Sequence, residues 1–127
     1  MINGSMTKNL EIHEDERGWL LEVLKREGIK QVYVASIKPG FIRGNHYHLE
    51  KTEWFFVIGK TAEIVIEDIK TKQREVINTK DMKVIAILPN KAHAVKNLGS
   101  EIIYLVSIVD HIYDPKNTDT FPYNIYE

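Results

Sequence analysis

The sequence predicts an all-β domain built as a sandwich or a barrel. Short runs rich in β-branched and aromatic residues recur along the chain, and turn-forming residues such as Gly, Pro and Asn separate them. Many short strands at regular spacing are typical of sandwiches and barrels. With 127 residues, the chain is long enough for one domain with a real core. We expect that domain to span residues 7–127, and residues 1–6 (MINGSM) to be a leader that derives partly from cloning.

Six segments are predicted as strands, and we take them in chain order. They lie at Gln31–Ile37, residues 54–58, Ala62–Asp68, Arg74–Asn78, residues 83–88 and residues 101–109. The clearest is the third (AEIVIED), in which apolar and polar residues alternate and place Ile64 and Ile66 on one face.

Two further segments have a less definite pattern. Residues 18–28 (GWLLEVLKREG) carry Leu20, Val23 and Leu24 at spacings compatible with a helix, so the type of this segment stays open. The tail, residues 113–127, contains two prolines and several aromatic residues. We expect the tail to pack against the body or a partner subunit without forming an element of its own.

Composition excludes several classes of function. The formal net charge is −1, and Lys and Arg are not concentrated in any segment, so nothing indicates nucleic-acid binding. The chain has no cysteine, which excludes disulfides, cysteine-ligated zinc and thiol nucleophiles. No apolar run approaches the roughly 20 residues of a membrane-spanning helix, and no signal-peptide pattern appears. We therefore expect a cytoplasmic protein with no membrane partner.

The most informative stretch is residues 40–59 (GFIRGNHYHLEKTEWFFVIG), in which one residue separates His46 from His48. Positions i and i+2 of a strand point to the same face, so both imidazoles can enter one cavity. Glu53 can return to that cavity from the next strand, and the distant His93 is a fourth candidate. Such a set commonly holds a divalent metal with an open coordination position. The alternative is a polar, solvent-filled cavity, with His93 bonded to Asn97 or to backbone.

Cationic side chains near this stretch are candidates for binding an anionic substrate. The planar guanidinium groups of Arg43 and Arg17 suit phosphate oxygens, although Arg17 can instead form a surface ion pair with Asp15 or Glu22. Lys51 can stabilise a phosphate, or it can lie in a solvated loop. The aromatic run 54–56 (WFF) is predicted to form core or a dimer interface.

Two segments resemble the motifs of the cupin superfamily. Residues 40–59 resemble the first cupin motif, and residues 89–97, which contain His93, resemble the second. DERGWL, QVYVASIKPG, RGNHYH, KTEWFFVIG and IYDPKNTDTF resemble the C-terminal cupin domain of bifunctional capsular polysaccharide enzymes. DxRG and RGxH more distantly resemble dTDP-4-dehydrorhamnose 3,5-epimerases and the related 3,4-ketoisomerases. The resemblance implies a cupin double-stranded β-helix, which is a jelly-roll barrel. Because small cupins generally pair, it also implies a homodimer.

The resemblance also implies a function, which we state as an expectation. It implies a zinc-associated enzyme of surface polysaccharide biosynthesis that epimerises C3 of a nucleotide-linked 4-keto-6-deoxyhexose by enolisation. His46 occupies the position of the catalytic base, and Tyr113 is the candidate acid that returns a proton to carbon. Arg43 is the third catalytic candidate, because it can stabilise the enolate oxygen instead of or beside the metal, and Lys51 can also stabilise the enolate. His46 cannot easily be a base and a metal ligand at once, because both roles need the same lone pair. The reductase half of the bifunctional enzymes has no counterpart here, so we expect a separate reductase to take the product.

Other functions remain open at the level of sequence. A 3,4-ketoisomerase shares the enolisation step and differs only in where the proton returns. A non-catalytic sugar-binding cupin keeps the cavity and the arginine contacts, and shows no exchange at carbon. A metal-dependent cupin oxygenase needs a redox metal such as iron, whereas zinc has no redox chemistry.

Overall fold

The computed structural model describes residues 5–126, and every element in that range is a β-strand. No helix that could span a membrane occurs in this part of the chain. The strands, in chain order, are β1 (Ser5–Asn9), β2 (Ile12–Asp15), β3 (Gly18–Leu21), β4 (Gln31–Ile37), β5 (Ile42–Tyr47), β6 (Glu53–Ile58), β7 (Ala62–Asp68), β8 (Arg74–Asn78), β9 (Lys83–Ile87), β10 (Lys91–Asn97), β11 (Ile103–Val109) and β12 (Phe121–Pro122).

Ten of these strands form two five-stranded antiparallel sheets. The first has the order β1-β9-β6-β11-β4, and the second has the order β12-β5-β10-β7-β8. Alternate residues of both sheets point inward and form one buried cluster, which includes Phe55 and Val57 of β6, Ile64 and Ile66 of β7, and Val95 of β10. Because this core joins the two sheets, it fixes the spacing between β6 on one side and β5 and β10 on the other.

Irregular segments cover part of the outer face of each sheet. On the first sheet, Val23, Leu24 and Ile29 pack against a cluster that contains Trp54. On the second sheet, the end of the chain packs against Val65, Ala92 and Ala94, with Ile125 as the buried residue of that tail. Each of these segments gives its sheet a second buried face, which explains why β6 and β10 are buried along nearly their whole length.

The strand predictions agree with the structure to within two residues at each end. The open question at residues 18–28 is also answered. Strand β3 occupies the start of this segment and pairs with β2 in a hairpin, and the remainder is irregular and packs on Trp54. The apolar spacing at Val23 and Leu24 reflects contact with an outer sheet face rather than a helical period.

The two ends of the chain differ in detail from expectation. The tail packs against the body as expected, but it also forms the short strand β12, which pairs with β5. Strand β1 includes Ser5 and Met6, which lie inside the expected leader. The remainder of that leader, residues 1–4, and the last residue lie outside the described residues.

Candidate metal centre and cavity

Four residues converge between the two sheets, and they are the four candidates for metal ligation. His46 lies near the end of β5 and His93 lies directly opposite on β10, where the two are register partners. His48 follows the end of β5, and Glu53 opens β6 on the other sheet. Each of the four residues offers one potential ligand atom, and these four atoms all lie within 4.8 Å of one another. The sequence spacing alone could not show that His93 reaches this group.

A β-bulge places His46 opposite His93. The register shifts between His93 and Ala94, and Asn45 is the extra residue, with a positive φ of 58°. Its neighbour Gly44 has a φ of 106°, and a Cβ atom there would lie 2.6 Å from the carbonyl oxygen of His93. Only glycine permits this close approach of β5 to β10.

The side chain of Asn45 also fixes the end of the chain. Its Oδ1 accepts hydrogen bonds from the backbone N–H groups of Ile125 and Tyr126, and its Nδ2 donates to the carbonyl of Tyr126. The bulge at the cluster is therefore tied to the tail that covers the second sheet.

The tautomers of two histidines follow from their hydrogen bonds. His48 Nδ1 lies 2.6 Å from the carbonyl oxygen of Asp119, and His93 Nδ1 lies 3.0 Å from the carbonyl oxygen of Lys91. A carbonyl oxygen can only accept, so each Nδ1 must carry the proton. In the neutral imidazoles, both Nε2 atoms therefore present a lone pair to the centre of the cluster. This is the arrangement that metal-binding histidines adopt.

Glu53 faces these two lone pairs. Its Oε1 lies 3.1 Å from His48 Nε2 and 3.3 Å from His93 Nε2, while Ser107 donates a hydrogen bond to Oε2. Burial alone would raise the pKa of Glu53, but a proton on Nε2 of His48 or His93, together with the hydrogen bond from Ser107, lowers it below its usual range. The carboxylate is therefore negatively charged at neutral pH. Its Oε1 is the oxygen available to a cation.

The cluster has the donor set and the electrostatic demand of a divalent-cation site. His93 Nε2 is buried and has no hydrogen-bond partner in residues 5–126, because its contact with Oε1 lacks hydrogen-bond geometry. Two imidazole lone pairs and a carboxylate oxygen attract one another only with a positive charge between them. A metal meets this demand with nitrogen and oxygen ligands of the kind that zinc accepts. The residues therefore fit such an ion.

His46 differs from the other two histidines in its environment. Its ring stands 4.9 Å from that of His48 and 4.7 Å from that of His93, between centroids. Within the described part of the chain, neither of its ring nitrogens has a hydrogen bond. Burial, then the proximity of His93 and His48, lowers the pKa of His46 to about 3. The imidazole is therefore neutral at physiological pH and has a free lone pair.

A cavity of about 340 Å³ opens from this cluster. Its wall contains His46, His48 and Glu53, and it also contains Lys51 and Tyr113, the proposed cation and acid. Three polar residues of the wall were missed at the level of sequence: Tyr33, Ser107 and Thr120. No local motif marks these three, because they come from β4, β11 and the tail and meet only in the folded chain.

The two candidate arginines lie elsewhere. Arg43 donates from Nε to the carbonyl oxygen of Ser36 at 3.0 Å and lines a separate depression. Arg17 forms the ion pair with Asp15 that was the alternative interpretation, at 2.5 Å in the exposed turn of the β2–β3 hairpin. Neither arginine lines the cavity of the histidine cluster, and their contacts with substrate stay predictions.

Comparisons with known proteins identify the family. Residues 13–121 match the polysaccharide biosynthesis C-terminal domain family. The chain belongs to this family. It is 30% identical over 125 residues to the UDP-2-acetamido-2,6-beta-L-arabino-hexul-4-ose reductase of Pseudomonas aeruginosa, covering 97% of this chain and 34% of that protein. It is 29% identical to the spore coat polysaccharide biosynthesis protein SpsL of Bacillus subtilis, covering 94% of this chain and 87% of that protein.

Comparison with solved structures shows the fold. The capsular polysaccharide assembling protein CapF of Staphylococcus aureus superposes with a TM-score of 0.72 at 27% identity, over 93% of this chain and 33% of that one. The 3,4-ketoisomerase QdtA of Thermoanaerobacterium thermosaccharolyticum superposes with a TM-score of 0.80 at 18% identity, over 98% of this chain and 91% of that one. The 3′-monoepimerase ChmJ of Streptomyces bikiniensis superposes with a TM-score of 0.78 at 20% identity, over 91% of this chain and 67% of that one. The domain is thus a cupin jelly-roll, as the resemblance implied. It spans about a third of the length of the reductase and of CapF.

Proposed function

We propose that this domain enolises a nucleotide-linked 4-keto-6-deoxyhexose and epimerises it at C3, in surface polysaccharide biosynthesis. The observation that carries the proposal is the cavity, which brings His46 and Tyr113 to one space beside a His/Glu cluster with the donor atoms for a metal ion. The family and the relative named as a spore coat polysaccharide biosynthesis protein support the pathway. The relative named as a UDP-sugar reductase supports the substrate class.

The proposed metal ligands are His48, Glu53 and His93, each of which has a second hydrogen bond that fixes its orientation. Three protein ligands leave an open coordination position, as in catalytic zinc sites. A divalent metal bound there, which we propose to be zinc, would supply Lewis-acid stabilisation of the enolate oxygen at C4.

His46 is the proposed base that removes the C3 proton. It is neutral at physiological pH, borders the cavity and lacks the second hydrogen bond that the other histidines have. The alternative is that His46 is the fourth metal ligand. The lowered pKa favours this ligand role over the base role, because an imidazole with a pKa of about 3 is a weak proton acceptor in the free site. The negative charge that develops on the enolate offsets this weakness in part, because it stabilises the imidazolium.

Tyr113 is the proposed acid that returns the proton to C3 from the other face, which inverts the carbon. Tyr113 lines the cavity, and its backbone N–H donates to Gln31 Oε1, which also accepts from the hydroxyl of Tyr33. Lys51 lines the same space and would place a positive charge near the enolate or the phosphates.

We also propose that the chain forms a homodimer and that a reductase consumes its keto product. Strand β4 is the last strand of the first sheet, and Val32 and Val34 on it are 59% and 69% exposed. An apolar edge of this kind supports burial against a second copy. A monomer in analytical ultracentrifugation at micromolar concentration would contradict the dimer.

Product analysis tests the proposed reaction. The metal-loaded protein is incubated with UDP- and dTDP-linked 4-keto-6-deoxyhexoses, and the products are identified by NMR. A C3 epimer is expected. A 3-keto isomer would assign the protein as a ketoisomerase, and binding of the sugar without conversion would assign it as a sugar-binding cupin.

A further inference from the structure

Asp119 contacts the metal-binding cluster through its backbone and the neighbouring loop through its side chain. Its carbonyl oxygen accepts the Nδ1 proton of His48 at 2.6 Å. Its carboxylate lies against the three residues that follow His48, and it accepts from Leu49 N at 2.8 Å, Glu50 N at 3.1 Å and Lys51 N at 2.9 Å. One residue of the tail, about 70 positions away, thus holds residues 48–51 of the turn between β5 and β6.

The backbone conformation of Asp119 is uncommon for a residue with a side chain. Its φ of 50° is in the left-handed region, which Asp and Asn tolerate better than other residues with a side chain. This conformation lets one residue direct its carbonyl oxygen at His48 and its carboxylate at the turn. A carboxylate with two acceptor oxygens suits three consecutive N–H groups, since an anion satisfies several converging donors.

We propose that Asp119 is a positioning residue of the metal centre, which holds His48 with Nε2 directed at the cluster and sets the turn that carries Lys51 to the cavity wall. This inference rests on the proposed metal site. It makes the tail, residues 113–126, part of the site in three ways: Tyr113 and Thr120 line the cavity, and Asp119 orients a ligand.

The variant that isolates the carboxylate is Asp119→Asn. Asparagine also tolerates positive φ, so the backbone conformation is retained. One oxygen still accepts from Leu49, but the amide nitrogen then faces the N–H of Lys51, donor against donor. The matched control is Asp114→Asn, because Asp114 lies in the same tail and accepts from the backbone N–H of Lys116 without touching the cluster.

The first readout is the affinity for Co²⁺, which is measured by titration with the visible absorption of the bound ion as the signal. The protein is first shown to be folded by circular dichroism. We expect Asp119→Asn to raise the Kd about 10-fold or more, in the range found for lost outer hydrogen bonds of metal ligands, and Asp114→Asn to leave it unchanged. A folded Asp119→Asn protein with the Kd of the control would overturn the proposal.

The second readout needs no metal and no variant. Nitrogen-15 NMR of the histidine rings in the wild-type protein reports the tautomer of His48. We expect a protonated Nδ1, whether or not Nε2 also carries a proton, and an unprotonated Nδ1 would overturn the proposal even if Asp119→Asn does not fold. If wild-type protein binds no Co²⁺ but shows the protonated Nδ1, the proposed metal function fails while the positioning of His48 by Asp119 stands.

Discussion

His93 Nε2 lies 3.3 Å from Glu53 Oε1, a contact that joins the two sheets inside the core. Because the other nitrogen of His93 donates to the carbonyl of Lys91, this contact sets a lone pair against a carboxylate oxygen. His48 Nε2 adds a second lone pair from 3.1 Å. These atoms therefore repel one another unless a metal ion or a proton lies between them.

The replacement His48→Gln tests the ligand set. We expect it to weaken metal binding by more than about 100-fold, beyond the loss typical of an outer hydrogen bond, because it removes a direct ligand. Bound metal is measured by mass spectrometry after dialysis. The matched control is His13→Gln, since His13 lies exposed on the β2–β3 hairpin. Equal metal content in His48→Gln and wild-type protein would remove His48 from the set.

Acid should destabilise the metal-free protein through His46. Burial, followed by His93 and His48, lowers the pKa of His46 to about 3, whereas the unfolded chain binds that proton near its ordinary value of 6.5. The unfolded state thus takes up a proton that the folded state does not. The stability present above pH 6.5 is lost as the pH falls, by at most about 1.4 kcal/mol per pH unit.

Urea unfolding after chelation, at about pH 7.5 and about pH 5, measures this loss of stability. The variant His46→Gln has no group to titrate at this position, so its free energy of unfolding should depend less on pH. An identical dependence in the two proteins would show that another group is responsible.

The substitution Gly44→Ala should damage both the fold and the centre. The new Cβ would lie 2.6 Å from the carbonyl oxygen of His93, and the φ of 106° disfavours any side chain. We expect a loss of about 2 kcal/mol or more in the free energy of unfolding, and weaker metal binding. Gly28→Ala is the control, because Gly28 also has a positive φ of 86° but open space around it. Equal losses would mean that the contact with His93 costs nothing.

The structure shows how far sequence could predict this site. Alternation gave β7 its exact bounds, and the His-x-His spacing placed two imidazoles in one cavity. Local pattern could not reveal the role of Asp119, since its contacts with residues 48–51 depend on the path of the whole tail.

The same limit applies to Arg17 and to the segment after β3. Sequence allowed both a substrate contact and an ion pair for Arg17, and only the hairpin geometry shows the pair with Asp15. Spacing also could not separate a helix from an irregular segment that packs two apolar side chains on Trp54.

Tyr113→Phe should separate the two proton transfers of the proposed reaction. Without the phenol, we expect epimer formation to fall by about 100-fold or more, in the range for a lost general acid, while exchange of the C3 proton with solvent continues. Tyr104→Phe is the control, because Tyr104 is similarly exposed, at 45% against 51%, and lies outside the cavity wall. Loss of both exchange and epimerisation would assign Tyr113 to the first step instead.

The central claim is enolisation at C3, and solvent deuterium tests it most directly. The metal-loaded protein is incubated in D₂O with nucleotide-linked 4-keto-6-deoxyhexoses, and NMR follows the signal of the C3 proton. We expect deuterium at C3 in both substrate and product, and no uptake with the His46→Gln protein. The absence of uptake with every nucleotide sugar tested, in folded protein with its metal bound, would contradict the proposed reaction.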